Sequence, residues 1–160
     1  MTHRAAGKLQ ALVRIPTVSH RDPSLVDTAA FDAFLAAMRM PKQTDEEKAA
    51  RKRAMLETTI GTIEVPMTTL EACPEIVELC LEVARVGLPQ SLSDAGTGAE
   101  MARAAAAGAY QNVCINMPGL DDPAAKAKLL ARADAAWEKT KELHARADRE
   151  ILGRLRANAG

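Results

Sequence analysis

From Leu130 to Leu155, apolar and small residues recur at alternating steps of three and four, through Ala133, Trp137, Thr140, His144, Ala147 and Ile151. That period lines one face of an α-helix, and a β-strand cannot follow it. Asp122 supplies an N-cap and Pro123 suits the first helical position, so one helix is expected from there to beyond Leu155. At 1.5 Å per residue that helix runs for about 50 Å. A stripe that long must be covered, and it reads as the outer staple of a bundle or as a dimer seam. His144 falls on the stripe, where a histidine reads as a packing residue at the core edge.

Composition agrees with helices. Aromatic residues make up 2% of the 160-residue chain while alanine is abundant, which suits closely packed helices and not strands. The expectation is all-α, an up-and-down bundle of long antiparallel helices. Lys+Arg and Asp+Glu are equal in number, so the charge balance points to neither a nucleic-acid nor a membrane partner. Cys73, Cys80 and Cys114 are odd in number, lack C-x-x-C spacing and sit in helical patterns. They read as small core residues in a reducing compartment, with no metal site. No apolar run reaches membrane-spanning length and no leader precedes the helices, so a cytoplasmic location is expected.

Along the chain, residues 1–23 form an atypical N-terminal segment and 24–160 the helical domain. His20-Arg21-Asp22 is a lone H-x-D in a linker and weak as a metal motif. Ala30, Phe31, Phe34, Leu35 and Met38 mark an amphipathic helix with Asp27 near its start, where a carboxylate acts as a cap. Pro41 ends this helix, and Thr44 with Glu47 makes a capping box for the next. Lys42 is left in the short loop between them, as a solvated lysine or a positioned cation. The next helical stripe runs through Ala49, Leu56, Ile60, Ile63, Met67 and Leu70, with either a kink or a new helix expected at Pro66, and a second segment past Pro74 ending at a Gly87 cap. The opposite face, with Arg51, Lys52 and Arg53, reads as solvated or as an attractor of an anionic ligand tail. Ser91, Ser93 and Asp94 gather at a later helix N-terminus. The small residues from Ala95 to Ala109 permit either close helix approach or room for a flat ligand. Asn112 and Asn116, one turn apart, are interhelical hydrogen-bonders or ligand contacts.

The stretch A-F-D-A-F-L-A-A-M-R-M-P-K-Q-T-D-E-E-K-A-A-R, E-V-P at Glu64 to Pro66, S-D-A-G at Ser93 to Gly96 and G-A-Y-Q-N-V-C-I-N at Gly108 to Asn116 come in an order that resembles the formiminotransferase-cyclodeaminase family. The closer likeness is to the cyclodeaminase domain and to bacterial methenyltetrahydrofolate cyclohydrolases, over roughly residues 27–155. The family's glycine-rich opening, of the type P-G-G-G-S, has no counterpart before Asp27. Instead L-V-R-I-P-T-V-S-H-R-D-P-S-L-V-D-T-A-A-F-D-A-F is similar to the start of aminoacylase- and carboxypeptidase-type zinc exopeptidases, without the downstream metal ligands that activity needs. A truncated or chimeric chain is therefore one expectation.

The resemblance implies a homodimer acting on a tetrahydrofolate one-carbon adduct as substrate, with no prosthetic group and no metal. The implied reaction is cyclodeamination of 5-formiminotetrahydrofolate to 5,10-methenyltetrahydrofolate and ammonia, with cyclohydrolysis of the methenyl compound as the alternative. A third reading is an inactive bundle that acts only in association. Ring closure needs a base for the N10 proton, an acid for the departing nitrogen and a carboxylate near the developing cation. On the motif positions these are Asp27, Lys42 and Asp94, with Ser93, Asn112 and Asn116 as substrate contacts.

Overall fold

The computed structural model describes residues 23–159, with side chains from 29 to 158. The described residues are almost wholly helical and contain no strand. Four α-helices follow one another: α1 (Pro23–Met38), α2 (Asp45–Val86), α3 (Leu92–Asn116) and α4 (Pro123–Ala159). Single 3₁₀ turns at Pro89–Ser91 and Met117–Gly119 make the last two connections. The chain divides into two compact units, residues 1–58 and 59–160.

In the first unit, α1 stops at Met38, ahead of the proline, and the capping box forms as expected. The Glu47 backbone N–H donates to Thr44 Oγ1 (3.2 Å), and Glu47 Oε2 accepts from the backbone N–H groups of Thr44 (3.1 Å) and Gln43 (2.7 Å). Arg51 reaches back to the Met38 carbonyl with Nε and Nη2, both at 3.3 Å, satisfying an orphan acceptor at the end of α1. Its role here is a cap, so it does not belong to a purely solvated face.

In the second unit, the side-chain contacts define the helix directions. Partners of α2 and α3 run in opposite order: Thr62 meets Asn116, and Cys80 lies beside Gly98. Partners of α3 and α4 also run in opposite order, from Glu100 with His144 to Tyr110 with Asp134. Those of α2 and α4 rise together, through Glu71 with Arg132, Glu78 with Lys139 and Arg85 with Glu150. This is an up-down-up arrangement, the bundle that the periodicity predicts.

The core is the meeting of three stripes. Ile63, Met67, Leu70, Val77, Leu81 and Ala84 come from α2, Ala95, Ala99, Ala102, Ala106, Ala109 and Val113 from α3, and Leu129, Ala133, Ala147 and Ile151 from α4. Alanine at every third or fourth position of α3 places small side chains between two longer helices, so the small residues serve packing. Thr140, fully buried on the α4 seam, donates its hydroxyl to the Ala136 carbonyl at 2.8 Å and so carries no unsatisfied donor.

Helix α2 is continuous for 42 residues through Pro66 and Pro74, where two segments were expected. A proline at position 66 cannot donate to the Thr62 carbonyl four residues back. Asn116 Nδ2 donates to that same carbonyl at 3.1 Å. The neighbouring helix thus replaces the hydrogen bond that proline removes. Gly87 follows the end of α2 without left-handed backbone geometry, so the expected left-handed cap is not how this helix stops. Glycine is needed there for space: a Cβ would lie 2.5 Å from the Val83 carbonyl oxygen. At the start of α4 the Asp122 cap forms as expected, its Oδ1 accepting from the backbone N–H of Ala124 (2.9 Å) and Ala125 (3.1 Å).

Candidate active site

Lys42 occupies the extended link between α1 and the capping box, exposed and without a hydrogen-bond or ion-pair partner among the described residues. Its position is held by the Thr44–Glu47 box on one side and by the Arg51 cap on Met38 on the other. Asp27 is a backbone position in the second turn of α1, which starts at Pro23, so it does not cap that helix.

In the second unit, the 3₁₀ turn at Pro89–Ser91 leads directly into α3. Ser91 Oγ donates to the Leu88 carbonyl at 2.7 Å and makes no cap on α3. Ser93 and Asp94 stand exposed in the first turn, where the helix dipole favours the Asp94 carboxylate. Asp94 has no partner among the described residues and remains open to a donor or a cation.

Asn112 and Asn116 lie at the other end of the same helix. From Ser93 to Asn112 the rise along α3 is about 28 Å. Within one copy of the chain these residues form two separate groups. Asn112 is exposed, whereas Asn116 is half-buried with its amide committed to Thr62. Of the two roles open to Asn116, the structure gives it the interhelical one.

The spacing of single residues could not reveal a cavity of about 290 Å³ between the first turns of α3 and the last turns of α4. Ser93 is on its rim, and His144 and Glu100 form one wall. His144 Nε2 lies 2.9 Å from Glu100 Oε1, while Arg103 Nε donates to Glu100 Oε2 at 3.3 Å. The histidine side chain is 14% exposed. Burial works to raise the Glu100 carboxyl, but hydrogen bonds from Arg103 and His144 outweigh it and hold the group below its ordinary value. The available signal was the His144 position on the seam, but its partner depends on the register of α4 against α3.

Other candidate chemistry is structural. Cys73 is buried, Cys80 and Cys114 are half-buried, and all three are free thiols. Burial pushes the thiols of Cys73 and Cys80 up, which disfavours the reactive thiolate. Among the described residues, no group of three His, Cys, Asp or Glu side chains is placed to hold a metal ion. No described helix is long and apolar enough to cross a membrane. His20 and Asp22, and most of the exopeptidase-like stretch, lie outside the described residues.

Comparison with known proteins adds the family. The model of the formiminotransferase-cyclodeaminase family matches residues 24–135. A methenyltetrahydrofolate cyclohydrolase of Methylorubrum extorquens is 41% identical over 98 residues, covering 61% of this chain and 47% of the relative. Formimidoyltransferase-cyclodeaminases of Sus scrofa and Rattus norvegicus are 31% and 30% identical over 139 and 155 residues, covering 87% and 97% of this chain. The aligned part is about half of the cyclohydrolase and about a quarter of each of the two longer proteins. With more than half of its residues inside the family match, and with the loop lysine and S-D-A-G turn both carried by that match, the chain belongs to the formiminotransferase-cyclodeaminase family.

Proposed function

We propose that the chain is a cytoplasmic enzyme of folate one-carbon metabolism that works as a homodimer and converts 5-formiminotetrahydrofolate to 5,10-methenyltetrahydrofolate and ammonia. The observation that carries this reading is the unpartnered Asp94 carboxylate in the first turn of α3, within the S-D-A-G motif and the family match. Ring closure forms a bond from N10 to the formimino carbon and gives a tetrahedral aminal. Asp94 or Asp27 takes the N10 proton, Lys42 protonates the terminal nitrogen, and that nitrogen leaves as ammonia when its bond to carbon breaks. The methenyl cation that remains is stabilised by a carboxylate beside it. Ser93 of one copy and Asn112 of the second copy of the homodimer contact the substrate, since the two lie about 28 Å apart along α3 of one chain, and Asn116 supports the helix end that carries Asn112. Exposed Met101 and Ile115 on α3 support association, since apolar side chains left on one helix face favour a covering partner.

The 41% identity to a cyclohydrolase favours a second reading, in which the same groups deliver water to the methenyl carbon. One pair of assays tests both. Supplied with 5-formiminotetrahydrofolate, a cyclodeaminase accumulates the methenyl chromophore with one ammonia per turnover; supplied with the methenyl compound, a cyclohydrolase bleaches it. The Asp94→Asn and Lys42→Ala variants are expected to lose at least about a hundredfold in turnover. A folded protein inert in both assays, or variants with full turnover, would overturn the assignment.

A further inference from the structure

The roles proposed for folate turnover leave the α4 wall of the α3–α4 cavity unassigned. We propose that this cavity is a separate binding site for a small organic cation, a primary ammonium carried on a short hydrocarbon group. The polar lining is nearly all acceptor. Thr97 has committed its hydroxyl hydrogen to the Ser93 carbonyl at 3.0 Å, leaving only lone pairs. The His144–Glu100 contact at 2.9 Å commits the Nε2 hydrogen to the carboxylate, so that donor is not offered to a ligand. Glu100 is anionic. Asp148, one turn beyond His144 on α4, also lines the cavity and has no partner among the described residues. Ser93 alone has a hydroxyl hydrogen to offer.

Such a lining repels carboxylates and phosphates and leaves a neutral alcohol with few charge-assisted bonds. An ammonium group brings three donors and a positive charge. The remaining wall, built from Gly96, Ala99, Ile151, Leu152 and Leu155, is apolar and suits a hydrocarbon chain. A volume of about 290 Å³ accommodates a compact amine. The half of the lining contributed by α4, His144 to Leu155, lies beyond residue 135, where the family match ends. The cavity thus joins the first turns of α3, including Ser93 and Gly96 of the S-D-A-G motif, to a wall from α4 that the family match does not reach.

The probe is n-butylammonium chloride, titrated into the full chain at pH 7 and low salt, with n-butanol and sodium butyrate as controls of equal hydrocarbon length. The imidazole carbon-bound proton resonances of His144, assigned by their loss in His144→Gln, report occupancy. A saturable shift with butylammonium alone is expected, weakened about tenfold by Asp148→Asn through loss of a charged hydrogen-bond partner. Leu152→Trp leaves every charge in place and fills the apolar wall from a position already 42% exposed, and it should abolish the shift. Circular dichroism establishes that both variants are folded. Absence of a saturable shift, equal binding of butyrate or butanol, or unchanged affinity in folded Asp148→Asn would overturn the proposal.

Discussion

Pro66 and Asn116 form one feature of the bundle although they lie on different helices. Proline leaves the Thr62 carbonyl without its helical donor, and the Asn116 amide supplies one at 3.1 Å. Asn116→Ala should therefore cost about 1–2 kcal/mol, because it leaves a half-buried acceptor unpaired. Pro66→Ala, by restoring the helical N–H, should recover about 1 kcal/mol in that background and less in the parent chain. Urea unfolding of the four proteins measures the coupling, and strictly additive effects would refute it. Asn116 also shows what spacing leaves open. Its period put it on a helix face with two possible roles, and the choice depended on which carbonyl another helix presented. His144 is the parallel case: the seam located it at the core edge, but only the α3–α4 register brings Glu100 to its Nε2.

Alanines fall on both the buried and the exposed side of helix α3, with opposite consequence. Ala106 is fully buried, whereas Ala104 is exposed on the same helix. Ala106→Leu should destabilise the chain by about 1–3 kcal/mol through overpacking, while Ala104→Leu should stay within about 0.5 kcal/mol. Thermal unfolding distinguishes them, and fluorescence of Trp137, stacked on Tyr110 at 5.9 Å, follows the α3–α4 contact directly. On the other side of α4, Arg132 forks between Glu64 and Glu71, with its nearest oxygens at 2.6 and 3.0 Å. Hydrogen bonds from the guanidinium, first to Glu71 and then to Glu64, hold Arg132 firmly in its charged form. Arg132→Met should cost about 1 kcal/mol after allowance for solvent screening, and Arg132→Lys should recover only part because one ammonium cannot span both carboxylates. Helix identity and most boundaries were readable from period and caps, since these are local. The unbroken passage of α2 through Pro66 and Pro74 was not, because tertiary packing and the Asn116 bond offset a local penalty.

At the scale of the whole molecule, acid sensitivity follows from the carboxylates that join helices. The Arg85 hydrogen bonds, at 2.6 and 2.7 Å, hold the Glu150 carboxyl below its ordinary value against the opposing effect of burial. For Glu100, burial acts upward and is outweighed by Arg103 and His144, again giving a lowered value. A carboxyl depressed in the folded state binds its proton more weakly there than in the unfolded chain. Its contribution is therefore complete above the unfolded value, about 4.3, and disappears as pH falls through the lower folded value. The melting temperature should fall in that acid window, and Glu150→Gln should melt below the parent at pH 7. As pH falls through the folded value the parent loses the charged pair as well, so the two curves should converge. The measurement is a series of thermal scans from pH 7 to pH 3; a gap of constant size would show that Glu150 acts through packing and not through its charge. The same scans in 1 M salt should shrink the pH 7 gap without moving the pH at which it closes by as much, since screening shortens the range of the attraction but leaves the hydrogen bonds from Arg85 in place.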